Sequence, residues 1–221
     1  MTPFLPRAIP FAVFIAFIGL SGPLNGLAGS IGMDPRWWYG ARILIVSVLL
    51  VSFRRHYVEL RSGAGVPAAD WLLSLAIGTA VFALWINLDF KPLSFGDAPG
   101  FDPRGTDGGI DWTLVTVRLA GAAIVVPVME ELFWRSFVMR WVHQQSFLEV
   151  DPRQVGIKAL ALSSVAFALE HHLWFAGLLA GLAYAWLYAR TGNLWVAIAS
   201  HALTNALLGA WILYTGSWQF W

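Results

Sequence analysis

Cysteine is absent from the 221 residues. That excludes disulfides, thiolate metal ligands and a thiol nucleophile. Charge is scarce as well: Asp, Glu, Lys and Arg make up 12% of the chain, about half the share of a soluble domain. The formal net charge is +1, so no basic face argues for nucleic acid. No internal repeat, low-complexity tract or second domain is visible, and residues 1–221 read as one membrane-embedded domain. Apolar residues fill the space instead. They form 58% of the sequence over its whole length, with 13 Trp, a residue that gathers at membrane interfaces.

The expected fold is all-α, a polytopic membrane helix bundle. A span needs about 20 mainly apolar residues. Seven candidates lie near 8–28, 38–53, 70–88, 112–142, 156–173, 174–190 and 193–214. The fourth would run roughly 45 Å as one straight helix. It either protrudes from the bilayer or is split at Pro127, which would give an eighth helix. Arg7 precedes the first run, but Pro10, Gly22 and Pro23 interrupt it. The run also outlasts a signal core, so a retained first span is expected.

The loops assign an orientation. Arg54, Arg55 and Arg61 follow the second span. Arg140, Arg153 and Lys158 surround the loop after the fourth, and Arg190 follows the sixth. Residues 89–111 are mainly acidic, and the Gly/Asp/Pro-rich stretch from Ser94 to Gly109 reads as an ordinary loop. The positive-inside rule then expects a cytoplasmic N-terminus and an outer C-terminus, in the inner membrane of a prokaryotic cell. Most of these arginines are expected to set topology and to touch lipid head groups.

Against this apolar background the segment Glu130-Glu131-Leu132-Phe133-Trp134-Arg135 stands out. Ionisable residues inside a membrane are costly and need partners. Glu131 and Arg135 are four apart and share a helix face, which suits an ion pair. Glu130 is rotated by about 100° from Glu131 and is free to point elsewhere, as a general base for water would. Two further helices carry polar residues at the same spacing: Phe167 with His171, and His201 with Asn205. Phe167 reads as a wall beside the imidazole. His172 reads as interfacial, and Glu170 as a solvated or supporting group. His201 and Asn205 must turn into the bundle, either to bond helix to helix or to donate hydrogen bonds to a developing oxyanion. Small residues at Gly177, Ala180, Gly181, Ala199 and Ala202 permit close helix approach.

These three motifs, in this order, resemble the CPBP (also called ABI) family, that of the CAAX prenyl-protein endopeptidase and the bacteriocin-processing proteins. The resemblance covers roughly residues 112–214. It implies metal-independent intramembrane proteolysis of a membrane-bound protein or peptide. Glu130 and His171 would activate water, and His201 and Asn205 would hold the oxyanion. Glu131, Arg135 and Phe167 would support the architecture. The short proteins associated with exosortase systems are a similar subfamily. One difficulty is depth: His171 falls near the outer end of a span beginning at 156, whereas Glu130 and His201 fall in the cytoplasmic halves of theirs.

Three other readings compete. Two His and a Glu are a donor set for zinc with an open water position, although no His-Glu-x-x-His segment exists. Gly19-Leu20-Ser21-Gly22 matches a rhomboid-like nucleophile pattern at an unusual place. A non-catalytic immunity or scaffold protein would use the same polar groups merely to line a cavity.

Overall fold

The computed structural model describes residues 2–61, 65–96 and 100–221. Residues 97–99 of the expected acidic loop lie outside the described residues. The chain forms eight helices among those described: α1 (Leu5–Gly19), α2 (Ser21–Ser30), α3 (Trp37–Phe53), α4 (Ala68–Asn87), α5 (Trp112–His143), α6 (Ile157–Leu169), α7 (Trp174–Thr191) and α8 (Leu194–Thr215). The described residues hold no strand beyond one isolated bridge between Arg104 and Ile110.

The helices reach the expected all-α bundle by a different division. Four are long and apolar enough to cross a bilayer: Trp37–His56, Ala68–Asn87, Trp112–His143 and Leu194–Thr215. A fifth crossing exists if α1 and α2 count together, bent by 65° at their junction. The break falls at Leu20, and Pro23 is the third residue of α2. A proline there loses no intrahelical bond, because the first turn has no acceptors for its N–H groups. Pro127, in contrast, splits nothing. α5 runs unbroken for 32 residues, and its turns widen to π-helix at Gly121–Val125 and Glu131–Met139. The first wide stretch lies immediately before the proline turn, where re-routed hydrogen bonds accommodate the missing N–H.

α6 resolves the depth difficulty. It is only 13 residues long, so about 20 Å at the helical rise. Its last turn gives way to bends at 171–173 before α7 begins. From the His143 end of α5, Glu130 also lies about 20 Å along the axis. Gly156 N–H donates to His143 Nδ1 (3.3 Å), so both helices are measured from the same end of the bundle. His171 therefore sits at the level of Glu130, in a turn within the bundle.

Glycines let the inner helices touch. On α7, a Cβ at Gly181 would meet the Ser164 carbonyl at 3.1 Å and Phe167 at 3.2 Å. One at Gly78 on α4 would lie 2.6 Å from the Ser200 carbonyl of α8. Thr204 Oγ1 donates across that same crossing to Gly78 O at 2.9 Å.

At one end of the bundle, buried Arg7 grips Glu59 with Nε–Oε1 2.7 Å and Nη2–Oε2 2.6 Å. It also donates to the carbonyls of Pro3 and His56. Burial pushes the Glu59 carboxyl up, but the hydrogen bond and charge of Arg7 outweigh it and hold the group below its ordinary value. Arg140 was expected at the lipid head groups. It is buried instead and bonds Ser136 through both the Oγ (2.7 Å) and the carbonyl (2.6 Å). Its charge is thus spent on holding the end of α5. The loop after α4 and the C-terminal residues gather at the opposite end, where Phe101 N–H donates to Trp218 O at 3.2 Å.

Candidate active site

α5, the α6–α7 turn and α8 bring one acid–imidazole cluster together. Glu131 Oε1 lies 3.0 Å from His201 Nδ1. Its other oxygen is 3.2 Å from Arg135 Nε. The latter is an ion pair with poor hydrogen-bond alignment, since neither atom has a partner by bond geometry. The guanidinium is placed by other contacts: its Cζ lies 4.4 Å from the centre of the Phe167 ring, and Nη2 donates to Gly181 O at 3.3 Å. Glu131 and Arg135 thus share a face, as their spacing requires, and Glu131 also fixes an imidazole.

Glu130 faces the other nitrogen of the same imidazole. Its Oε2 is buried without a hydrogen-bond partner among the described residues and lies 3.9 Å from His201 Nε2. That gap is too long for a direct bond and is short enough for one water to bridge. His171 Nδ1 lies 2.8 Å from the Phe167 carbonyl. A carbonyl only accepts, so Nδ1 carries the proton and Nε2 is left with its lone pair. Phe167 therefore orients His171 through its backbone and walls it with its ring at 4.5 Å. Trp85 closes on the same imidazole edge-on at 5.4 Å. His201 is stacked on Tyr184 at 4.8 Å, and the Tyr184 hydroxyl is anchored on Thr204 Oγ1 at 2.8 Å.

Glu170 was expected to be solvated or supporting. It is half-buried and accepts from Trp134 Nε1 at 2.9 Å. One ligand atom from each of Glu130, Glu170 and His171 can be chosen so that all lie within 4.8 Å of one another. No sequence spacing ties Glu170 to Glu130, and only its adjacency to His171 hinted at this place. His172 turns away and lines a neighbouring cavity. Ser21 of the rhomboid-like pattern is exposed at the α1–α2 break and is absent from the lining of the cluster's cavity.

Asn205 lines the same cavity as Glu130, His171 and His201. Its Nδ2 donates at 2.8 Å to Ala122 O, inside the first wide turn of α5. One amide hydrogen is thereby used, and one remains. The cavity measures about 280 Å³. A second, of about 590 Å³, shares Trp85, Arg118, Glu170, His171, Phe220 and Trp221 with it and continues past Asp89, Lys91 and Gln219. The cluster thus communicates with the end of the bundle that carries the C-terminus.

The fold and cluster define a class, a helical membrane protein with paired acids and imidazoles around a buried cavity. Residues 112–207 match the family described as type II CAAX prenyl endopeptidase, Rce1-like. Glu130, Glu131, Arg135, Phe167, His171, His201 and Asn205 all lie within that stretch. Over this motif-bearing segment the match supports the CPBP (CAAX protease) family, a family of membrane proteases. No curated protein and no solved structure matches the chain at a significant level.

Proposed function

We propose that the chain is an intramembrane endopeptidase that hydrolyses a peptide bond of a membrane-bound protein or peptide without a metal. The observation that carries this reading is the buried, unpartnered Glu130 oxygen facing His201, with His171 beside it. A water held between Glu130 and His171 Nε2 attacks the scissile carbonyl carbon while Glu130 takes its proton. His201, held at Nδ1 by Glu131, turns Nε2 toward the oxyanion, and the remaining amide hydrogen of Asn205 donates to it. As the C–N bond breaks, Glu130 returns the proton to the leaving nitrogen. Arg135 balances Glu131 throughout. In a reconstituted preparation His171→Ala should lower cleavage of a membrane-associated peptide by about 10²–10⁴-fold; cleavage at the wild-type rate would sink the reading.

A second reading has its own support. Glu130, Glu170 and His171 place three potential ligand atoms within 4.8 Å, the ligand count of a catalytic zinc site. His201 is engaged by Glu131 and is not part of that set. On this reading the cluster would polarise water through the ion, and removing metal would stop turnover.

Orientation belongs to the same proposal. Arg54, Arg55, Arg153 and Lys158 mark the cytoplasmic end, so the cavity communicates with the opposite side through Gln219 and Trp221. The cysteine-free chain makes the test clean. On intact cells an impermeant maleimide should label Gln219→Cys and spare Arg55→Cys, both exposed positions. The reverse pattern would refute this orientation.

A further inference from the structure

One hydrogen bond joins the α6–α7 turn to α5 among the described residues: Trp134 Nε1 donates to Glu170 Oε1 at 2.9 Å. His171, the next residue, makes its own hydrogen bonds to α6 alone. Its backbone N–H donates to Ala168 O at 3.1 Å, and its ring Nδ1 to Phe167 O at 2.8 Å. These bonds fix the imidazole relative to α6. They do not fix it relative to Glu130, which stands on α5. Between the two helices the packing is of rings: Trp134 meets Phe167 edge-on at 6.3 Å, and Arg135 Cζ lies 4.4 Å from the centre of the same ring. Apolar packing tolerates a range of registers because burial is not directional, whereas a hydrogen bond weakens steeply when misaligned.

Trp134 comes four residues after Glu130, so the two share a side of α5. Glu170 and His171 are adjacent in the turn. Two neighbours on the turn therefore meet two same-side residues of α5, Glu170 on Trp134 and His171 beside Glu130. Trp134 has little freedom to follow a shift of the turn, being packed against Phe11 at 5.5 Å and Phe133 at 4.8 Å. From the other side α7 backs the turn: a Cβ at Gly177 would meet His171 Cβ at 3.2 Å. We infer that Glu170 is a positioning residue, whose bond to Trp134 sets His171 at the separation from Glu130 that one shared water requires. The role needs an acceptor oxygen and no charge, which separates it from metal ligation by the same carboxylate. Its effect on turnover rests on the peptidase reading; the placement of His171 does not.

Turnover and the placement of His171 are measured separately on the full chain. In reconstituted protein Glu170→Ala and Trp134→Phe should each lower kcat by about 10–100-fold, the scale of a misplacement near 1 Å, with KM within about twofold of wild type. Trp134→Phe keeps the ring packing and guards against a folding failure of Glu170→Ala. The double variant should be no slower than either single one, because both remove the same bond. Glu170→Gln still accepts from the indole and should stay within about threefold of wild type. Placement is followed in nanodiscs by NMR of protein labelled with ¹⁵N at its five histidines, with His171→Gln identifying the signal. The His171 ring nitrogens should shift in Trp134→Phe, which leaves every charge where it was. Unmoved His171 signals in that variant would overturn the inference, as would losses that multiply in the double variant. A loss in Glu170→Gln as large as in Glu170→Ala would overturn it too and give the carboxylate a role that needs its charge. Shifted His171 signals in a protein that cleaves nothing would leave the placement standing and remove the peptidase reading alone.

Discussion

Glu130→Gln is expected to lower kcat/KM for peptide cleavage by about 10²–10⁴-fold, the contribution of a positioned general base. The amide keeps the shape of the carboxylate but cannot take a proton from water. Folding should be undisturbed, because Glu130 Oε2 bonds nothing among the described residues. Replacing an unpartnered buried acid by an amide removes a desolvated charge, so the unfolding midpoint should stay level or rise. Loss of activity with retained stability is the mark of a group kept for chemistry. Turnover of reconstituted protein alongside a thermal unfolding curve checks both halves. Near-wild-type turnover would remove Glu130 from the mechanism.

Arg135→Ala should instead act on the fold, destabilising the protein by about 3–5 kcal/mol. Arg135 and Glu131 are both fully buried. Without the guanidinium, the buried Glu131 is left with only His201 Nδ1 to hold it. Arg135→Lys should rescue only part of the loss, since an ammonium cannot lie flat on Phe167 and reach the Gly181 carbonyl together. Arg135→Met with Glu131→Gln should recover more of it than Lys does, because the orphaned charge is gone. Urea unfolding in detergent, followed by tryptophan fluorescence, measures the series. An Arg135→Ala variant as stable as wild type would show that the pair is not structural.

Residues four apart were legible because helix geometry leaves them no choice: Glu131 with Arg135 and His201 with Asn205 each share a face. The inward turn of these polar groups was legible from the greasy chain around them. Depth was not. Leu169-Glu170-His171-His172-Leu173 has no Gly or Pro to mark the end of α6, and apolar residues resume directly after it, so a 13-residue helix passes for a longer span. The break at Leu20 is hidden for the opposite reason, a continuous apolar run in which Gly22 and Pro23 look like interruptions within one span. Pro127 announced a split that the wide turns of α5 absorb. Glu170 and Trp134 come together from sequence positions without common spacing. Only the packing of α5 and the α6–α7 turn unites them.

The central claim is water activation by Glu130 and His171 without a metal. Its most direct test is cleavage of a membrane-associated peptide by reconstituted protein that has been dialysed against a strong chelator and checked for metal content. The proposal predicts unchanged turnover at negligible bound zinc, and loss of that turnover in Glu130→Gln. Turnover that stops on chelation and returns with added zinc would contradict it and install Glu130, Glu170 and His171 as ligands.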